Sequence, residues 1–203
     1  MKSLKQQIES YFPFNEQEAA DKQQFLEWLN SGKNLFLREN KTAHITVSAW
    51  IVSPDRKKVL MAYHNLYGSW AWLGGHADGN EDLKNVILKE ISEESGLSRV
   101  RFLSDEIFSI EVLAVNGHEK KGNYLSSHLH LNVTFLLEAD PNDAVRIKPD
   151  ENSAIGWIAT EEIENKSSEP WFVQRVYQKL CDKVRVTEEI QKTGGNHGRT
   201  ISG

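Results

Sequence analysis

Residues Gly74 to Leu97 read GGHADGNEDLKNVILKEISEESGL: a glycine turn, a helical stretch from about Asp82 and a glycine stop at Gly96. With about 100° of rotation per residue, Glu90, Glu93 and Glu94 fall on one side of that helix, because positions three and four apart are surface neighbours. The same wheel sets Glu90 and Glu94 beside Leu83 and Ile87, the apolar stripe that must turn inward, so these two carboxylates are expected to be partly shielded from water. Like charges at this spacing destabilise a bare helix by roughly 0.2–0.5 kcal/mol per pair, and shielding raises the cost. Lys89 alone cannot neutralise three carboxylates. A hard divalent cation with oxygen ligands, Mg2+ or Mn2+, is the economical counter-charge. Gly74 and Gly75 let a backbone carbonyl come close to such an ion, and Glu81 precedes the helix where it could orient the other carboxylates. The competing reading, a solvated acidic face, is at odds with the wheel position.

Outward from this segment the chain alternates between strand and helix signals. From His44 to Val52, Ile45, Val47, Ala49 and Ile51 alternate with His44, Thr46, Ser48 and Trp50, the period of two that makes a strand. SPDRK turns the chain into a second strand, Lys58 to Tyr63; further strands are expected at Glu106 to Val115, His128 to Glu138 and Ile155 to Ile158. Pro170 to Val186 reads as a helix with proline at its start. Residues 1–30 suit two helices parted near Pro13 and closed at Ser31-Gly32, with spaced apolar positions (Ile8, Phe12, Phe25, Leu26, Leu29) that suggest they cap the core rather than form it. The tail TGGNHGRTISG has little to bury and is expected to be flexible. No 20–50-residue repeat recurs, which excludes solenoids and propellers.

Composition narrows the function classes. The 203 residues, 39% hydrophobic and 26% charged, can bury a sizeable core. Lys+Arg 24 against Asp+Glu 29 gives a net charge of −5, so the positive surplus that general nucleic-acid or acidic-membrane binders use is missing. Cys181 is the sole cysteine, which allows no intrachain disulfide and fits a reducing compartment. Apolar runs such as Ala49 to Val52 fall far short of the roughly 20 residues that span a bilayer, and MKSLKQQIES holds no apolar signal core. The expectation is a soluble, cytoplasmic, single-domain protein with appendages.

Several residues outside the helix carry two readings each. His128 and His130 lie two apart on a predicted strand and share a face with Asn132 and Thr134, so they either line a substrate cleft or are structural. Zinc would need two further ligands, and none is evident nearby in the sequence. His76 and Asp78 sit where they could reach a phosphate or a metal-bound water; Asp78 could equally order its loop. Trp70 and Trp72 offer either a stacking face for a base or core packing. The segment NGHEKKGNYLSS, with Lys120 and Lys121, is either a substrate-reading flap or a solvated hairpin tip.

The run Gly75, five residues, Glu81, seven residues, Lys89, Glu90, Ile91, one residue, Glu93, Glu94, one residue, Gly96, Leu97 resembles the Nudix box, a 23-residue signature of fixed spacing. It departs from that pattern at Lys89, where the family has arginine; lysine keeps the charge without the planar fork. The strand order over His44 to Thr160 also resembles a Nudix domain. The resemblance implies an α/β (α+β) fold, an α/β/α sandwich around a mixed β-sheet. Here it would carry an N-terminal helical extension over 1–40, the Nudix domain over 41–165, a C-terminal helix over 166–190 and a tail over 191–203. It implies hydrolysis of a pyrophosphate bond in a nucleoside diphosphate linked to another moiety, with Mg2+ or Mn2+ as cofactor. Carried over by position, Glu90 and Glu94 would be the main metal ligands, Glu93 a further ligand or the general base, and Gly74 a carbonyl ligand, with Glu81 and Lys89 orienting the set. Some such enzymes recruit a carboxylate from a later loop, which makes Glu151 in KPDENSAIGW a second candidate for base or ligand, or else a surface turn residue. A small nucleotide or other phosphoanhydride is the implied partner, with a homodimer as a further expectation. Two alternatives stay open: a non-catalytic nucleotide sensor, favoured only by Lys89, and an isopentenyl-diphosphate isomerase-like enzyme, which would need a cysteine near the site where Cys181 is predicted to sit in a distant helix.

Overall fold

Strict alternation makes Ala43–Val52 the central strand, β1, and all ten of its residues are buried. A computed structural model describes residues 2–120 and 122–194. Ahead of β1 stand helices α1 (Leu4–Ser10) and α2 (Glu16–Leu29). After it come β2 (Lys58–His64), β3 (Ser69–Ala71), β4 (Leu73–His76), α3 (Leu83–Ser95), β5 (Arg101–Phe102) and β6 (Ser109–Val115). A small hairpin, β7 (His118–Lys120) and β8 (Asn123–Leu125), precedes β9 (His128–Glu138) and β10 (Asn152–Ala159). A 3-10 turn (Thr160–Glu162), α4 (Ile163–Lys166), α5 (Pro170–Phe172), a π-turn (Val173–Tyr177) and α6 (Gln178–Gly194) complete the described chain.

The main sheet runs β10-β2-β1-β9-β5, with β3 on β2, β4 on β1 and β6 on β9. Only β1 and β9 are parallel; every other pairing in the described sheet is antiparallel. Alternate residues of β1 and β9 therefore feed two cores. Ile45, Val47, Ile51, Leu131, Val133 and Leu137 join Ile87 and Ile91 of α3 in one. Trp50, Val52 and Leu136 join Val176, Tyr177, Leu180 and Val184 of the C-terminal helical segment in the other. Two helical layers on one mixed sheet give the α/β/α sandwich.

The structure departs from the sequence reading in several places. The N-terminal helices help to form the core instead of only capping it, because Leu4, Ile8 and Phe25 are buried in the first cluster, the last two completely. Strand β6 starts at Ser109 rather than Glu106, since the Ser104 hydroxyl caps the Glu106 N–H at 3.0 Å and holds that stretch in a bend. The helix from Pro170 is broken by the π-turn and continues to Gly194, so 191–194 of the expected tail is helical; 195–203 lies outside the described residues. Around the expected signals, Asp82 caps α3 by accepting the Asn85 N–H at 3.1 Å, and Gly96 closes it at φ 73°. No described helix is long and apolar enough to cross a membrane.

A buried ionic network binds both ends of the chain to the sheet. Glu18 of α2, fully buried, pairs with Lys183 at 2.7 Å and Lys179 at 3.3 Å of α6. It also accepts a hydrogen bond from the Tyr11 hydroxyl at 2.6 Å. Lys179 pairs in turn with Glu111 of β6 at 2.8 Å, and Glu111 accepts from Asn132 and Thr134, each at 2.9 Å. Two carboxylates thus face two ammonium groups. Burial works against the charged form of Glu18, but Lys179 and Lys183 outweigh it and hold its pKa below the ordinary value. Removing one partner of such a pair leaves an uncompensated buried charge, at a cost of about 3–5 kcal/mol. Glu18→Ala is therefore expected to lower the unfolding free energy by about that amount in urea denaturation at neutral pH; a loss below about 1 kcal/mol would show that the network does not hold the N-terminal helices.

Candidate active site

The carboxylates predicted on the helix meet where α3 lies against β4. Glu94 is only 8% exposed and accepts the Gly74 N–H at 3.3 Å. Burial, then the neighbouring charges of Glu90 and Glu151, push its pKa up to about 8. Glu90 is half-buried and its pKa too is raised, by burial first and then by Glu93. The paired glycines are what allow this approach. A Cβ on Gly75 would stand 2.4 Å from Glu90 Cδ, and one on Gly74 would stand 2.4 Å from the Val47 carbonyl oxygen of β1. Only backbone fits between the strand and the helix.

Glu93 faces outward and pairs with Lys89 at 3.5 Å and Lys148 at 3.7 Å. Lys148, unnoticed in the sequence, also pairs with Glu151 at 2.9 Å and so draws the later loop to the helix. Burial opposes its charge, but Glu151, Glu93 and Glu90 together raise its pKa. Asn152 completes the attachment: its amide donates to the Glu94 backbone carbonyl at 3.3 Å, and its side-chain oxygen accepts the Lys148 N–H at 3.0 Å. Glu151 is therefore brought to Glu90, Glu93 and Glu94. The resemblance points to Glu151, and the three-residue spacing of Lys148 and Glu151 is the sequence signal for its attachment. Lys89 is largely exposed and ion-pairs with Glu93 alone among the described residues. Glu81 is exposed and forms no hydrogen bond or ion pair with the cluster.

On the other side of β4, histidines gather. The β1–β9 register pairs His44 with His130, and β4 brings in His76. The His44 ring lies 5.1 Å from His76 and 5.0 Å from both His128 and His130, centroid to centroid. Burial, followed by the neighbouring histidines, presses the His130 pKa down to about 2. His44 is also lowered, chiefly by burial. The expectation that no further ligand lies near His128 and His130 is overturned: His44 and His76 are remote in sequence, and only strand pairing joins them.

The other candidates fall elsewhere. Asp78, at φ 47°, takes a two-pronged contact from Arg38, one bond at 2.6 Å, which orders the loop. Trp72 packs edge-on against Phe172 and Tyr177, and Trp70 against Tyr63, so both lean, partly buried, against the second core. The predicted flap is the β7–β8 hairpin, separate from the main sheet, with Tyr124 72% exposed near its turn; Lys121 lies outside the described residues.

The NUDIX domain profile matches residues 42–180. No curated protein matches the chain. Among solved structures, a Caenorhabditis elegans Ap4A hydrolase binary complex is similar at 18% identity and TM-score 0.50, covering 71% of this chain and 97% of its own. A NUDIX-family hydrolase from Clostridium perfringens shares 20% identity at TM-score 0.50, over 70% of this chain and 97% of its own. The Escherichia coli dihydroneopterin triphosphate pyrophosphohydrolase shares 14% at TM-score 0.51, over 68% and 95%.

Two outcomes are expected from the site's electrostatics and packing. With Glu94 raised from the ordinary 4.5 to about 8, the folded chain holds this proton more tightly than the unfolded one. That stabilisation is complete below the ordinary value and is lost as pH rises through about 8. In EDTA-treated protein the urea midpoint should fall between about pH 5 and pH 8.5, and Glu94→Gln should flatten the fall; an equally steep fall in the variant would place the responsible group elsewhere. Gly75→Ala should displace Glu90 and weaken Mg2+ binding about 10–100-fold in calorimetry while the chain stays folded; unchanged affinity would remove Glu90 from the ligand set.

Proposed function

The chain belongs to the NUDIX domain family, and from that premise we propose that it is a Mg2+- or Mn2+-dependent hydrolase breaking the phosphoanhydride bond of a nucleoside diphosphate linked to another moiety. The observation that carries this reading is the carboxylate cluster, in which Glu90 and Glu94 are forced toward the protonated state by burial and by the neighbouring carboxylates, Glu93 acting on Glu90 and Glu90 on Glu94. Oxygen donors crowded in this way suit a hard divalent cation, whose binding relieves the repulsion. Glu90 and Glu94 would hold it, with the Gly74 carbonyl, and Glu93 and Glu151 stand as further ligands. Once bound, such a cation neutralises charge on phosphoryl oxygens and makes water a better nucleophile.

The chain's own residues supply the rest. Glu93, at the solvent edge, is the residue best placed to take a proton from water, and its ion pairs with Lys89 and Lys148 steady it there. Lys148 also aims Glu151 at the same region, which makes Glu151 the alternative base. Lys89 acts as the orienting cation of the box. Glu81 keeps an orienting role on the strength of its place in the box alone. His76, His128 and His130 are read as the polar wall on the substrate side, with the half-buried Trp72, which leans on Phe172 and Tyr177, as a further contact. The solved structures named above include an Ap4A hydrolase and a dihydroneopterin triphosphate pyrophosphohydrolase, which supports a small phosphoanhydride as the substrate class. An isomerase-like role finds no support in Cys181, which is buried in the second core with its thiol pushed up to about 11 by burial.

A panel of nucleotides and nucleotide conjugates assayed for phosphate or pyrophosphate release tests the proposal. Release with Mg2+ or Mn2+ is expected, and EDTA and Glu94→Gln should each reduce it at least about 100-fold. An active Glu94→Gln enzyme would refute the role of the cluster, and nucleotide-induced thermal stabilisation without turnover would favour the sensor reading.

A further inference from the structure

We propose that His44, His76 and His130 form a transition-metal site, separate from the carboxylates, that takes Zn2+ or an ion of the same borderline class, with His128 beside the remaining coordination position. One ligand atom from each of the three lies within 4.8 Å of the others. Tetrahedral zinc, with Zn–N of about 2.0–2.1 Å, needs nitrogens about 3.3–3.4 Å apart, so binding would draw the rings closer together. His128 Nε2 and His130 Nε2 already stand at 3.3 Å.

The hydrogen-bond pattern presents lone pairs to this space. His44 Nδ1 lies 3.1 Å from the Asn40 carbonyl oxygen, and His128 Nδ1 lies 2.9 Å from that of Ser126. A carbonyl can only accept, so Nδ1 carries the hydrogen in both rings, which leaves His44 Nε2 as a lone-pair nitrogen, while the His128 Nε2–His130 Nε2 contact holds one hydrogen that a metal would displace. Metal-bound imidazoles are held in this way, the second ring N–H donating to a backbone carbonyl. His44 is 4% exposed, and its Nε2 has no hydrogen-bond partner, an orphaned buried acceptor at the centre of the histidine group. Asp78, on the loop that follows β4, is engaged by Arg38.

All-imidazole donors select against Mg2+ and for zinc-like ions, the reverse of the carboxylate cluster. The two sites share β4: Gly75 packs on Glu90, whereas His76, the next residue, turns to the histidines. A metal here would clamp β1, β4 and β9 together and fix the strand against which Glu90 and Glu94 rest.

The test is a ZnCl2 titration of the EDTA-treated full chain, without nucleotide and with millimolar Mg2+ present, followed by calorimetry. One equivalent is expected to bind at micromolar affinity or tighter. Co2+ in its place should give the visible bands of a tetrahedral, nitrogen-ligated ion. His76→Ala, at a half-exposed position that the fold tolerates, and His130→Ala should each weaken Zn2+ at least about tenfold, and Glu94→Gln should leave it unchanged. No equivalent bound, an equivalent that survives His44→Ala/His130→Ala with unaltered affinity, or one lost in Glu94→Gln would overturn the proposal. Because turnover is not read, this outcome stands apart from that of the hydrolase assay.

Discussion

The parallel pairing of β1 with β9 is the constraint from which the remainder follows. Ten consecutive pairs, from Ala43 with Leu129 to Val52 with Glu138, are locked in one register. A slip of one residue would turn every side chain to the opposite face. In the observed register the odd residues of both strands point to α3 and build the first core. The even residues stack His44 on His130, Thr46 on Asn132 and Ser48 on Thr134. From Asn132 and Thr134 the polar ladder passes to Glu111, and so to the lysines of α6. One strand pairing therefore sets the apolar core, the ionic network and the histidine group together.

Against this frame the acidic site is a study in enforced proximity. A helix carrying three glutamates on one side would lie more comfortably with that side in water. Its apolar positions Leu83, Val86, Ile87 and Ile91 are nevertheless buried, and their burial drags Glu90 and Glu94 inward with them. Gly74 and Gly75 remove the side chains that would keep the helix off β4. Hydrophobic packing thus does work against electrostatics, and the raised pKa values of Glu90 and Glu94 record it. Strain of this kind persists at functional sites because the surrounding fold over-determines it.

What could be read from the sequence was what depends on near neighbours. The burial of Glu94 and half-burial of Glu90, with Glu93 outside, follows from helical rotation alone. The Asp82 cap, the left-handed Gly96 and the alternation of β1 are equally local. The misreadings share another cause. Residues 1–30 read as a polar cap with a few spaced apolar positions, yet Glu18 and Asp21 among them are buried against charges and backbone supplied by distant elements. His44 sat unnoticed on the polar face of β1, since nothing near it in the chain announces His130. Glu151 reaches the cluster only because Lys148 and Asn152 fasten its loop to α3, a contact between segments more than 50 residues apart.

The buried network also separates two ideas of a domain. Glu18 lies ahead of the family match at residue 42, and Lys183 lies past its end at residue 180. Cutting the chain to the matched segment would remove both, leaving Glu111 and Lys179 as the remaining charged members of the group. The Tyr11 hydroxyl and the buried Phe25 would be lost with them. The length of chain that the family profile matches is therefore shorter than the length that this network ties together. For this protein the inherited segment and the charge-linked segment end at different residues.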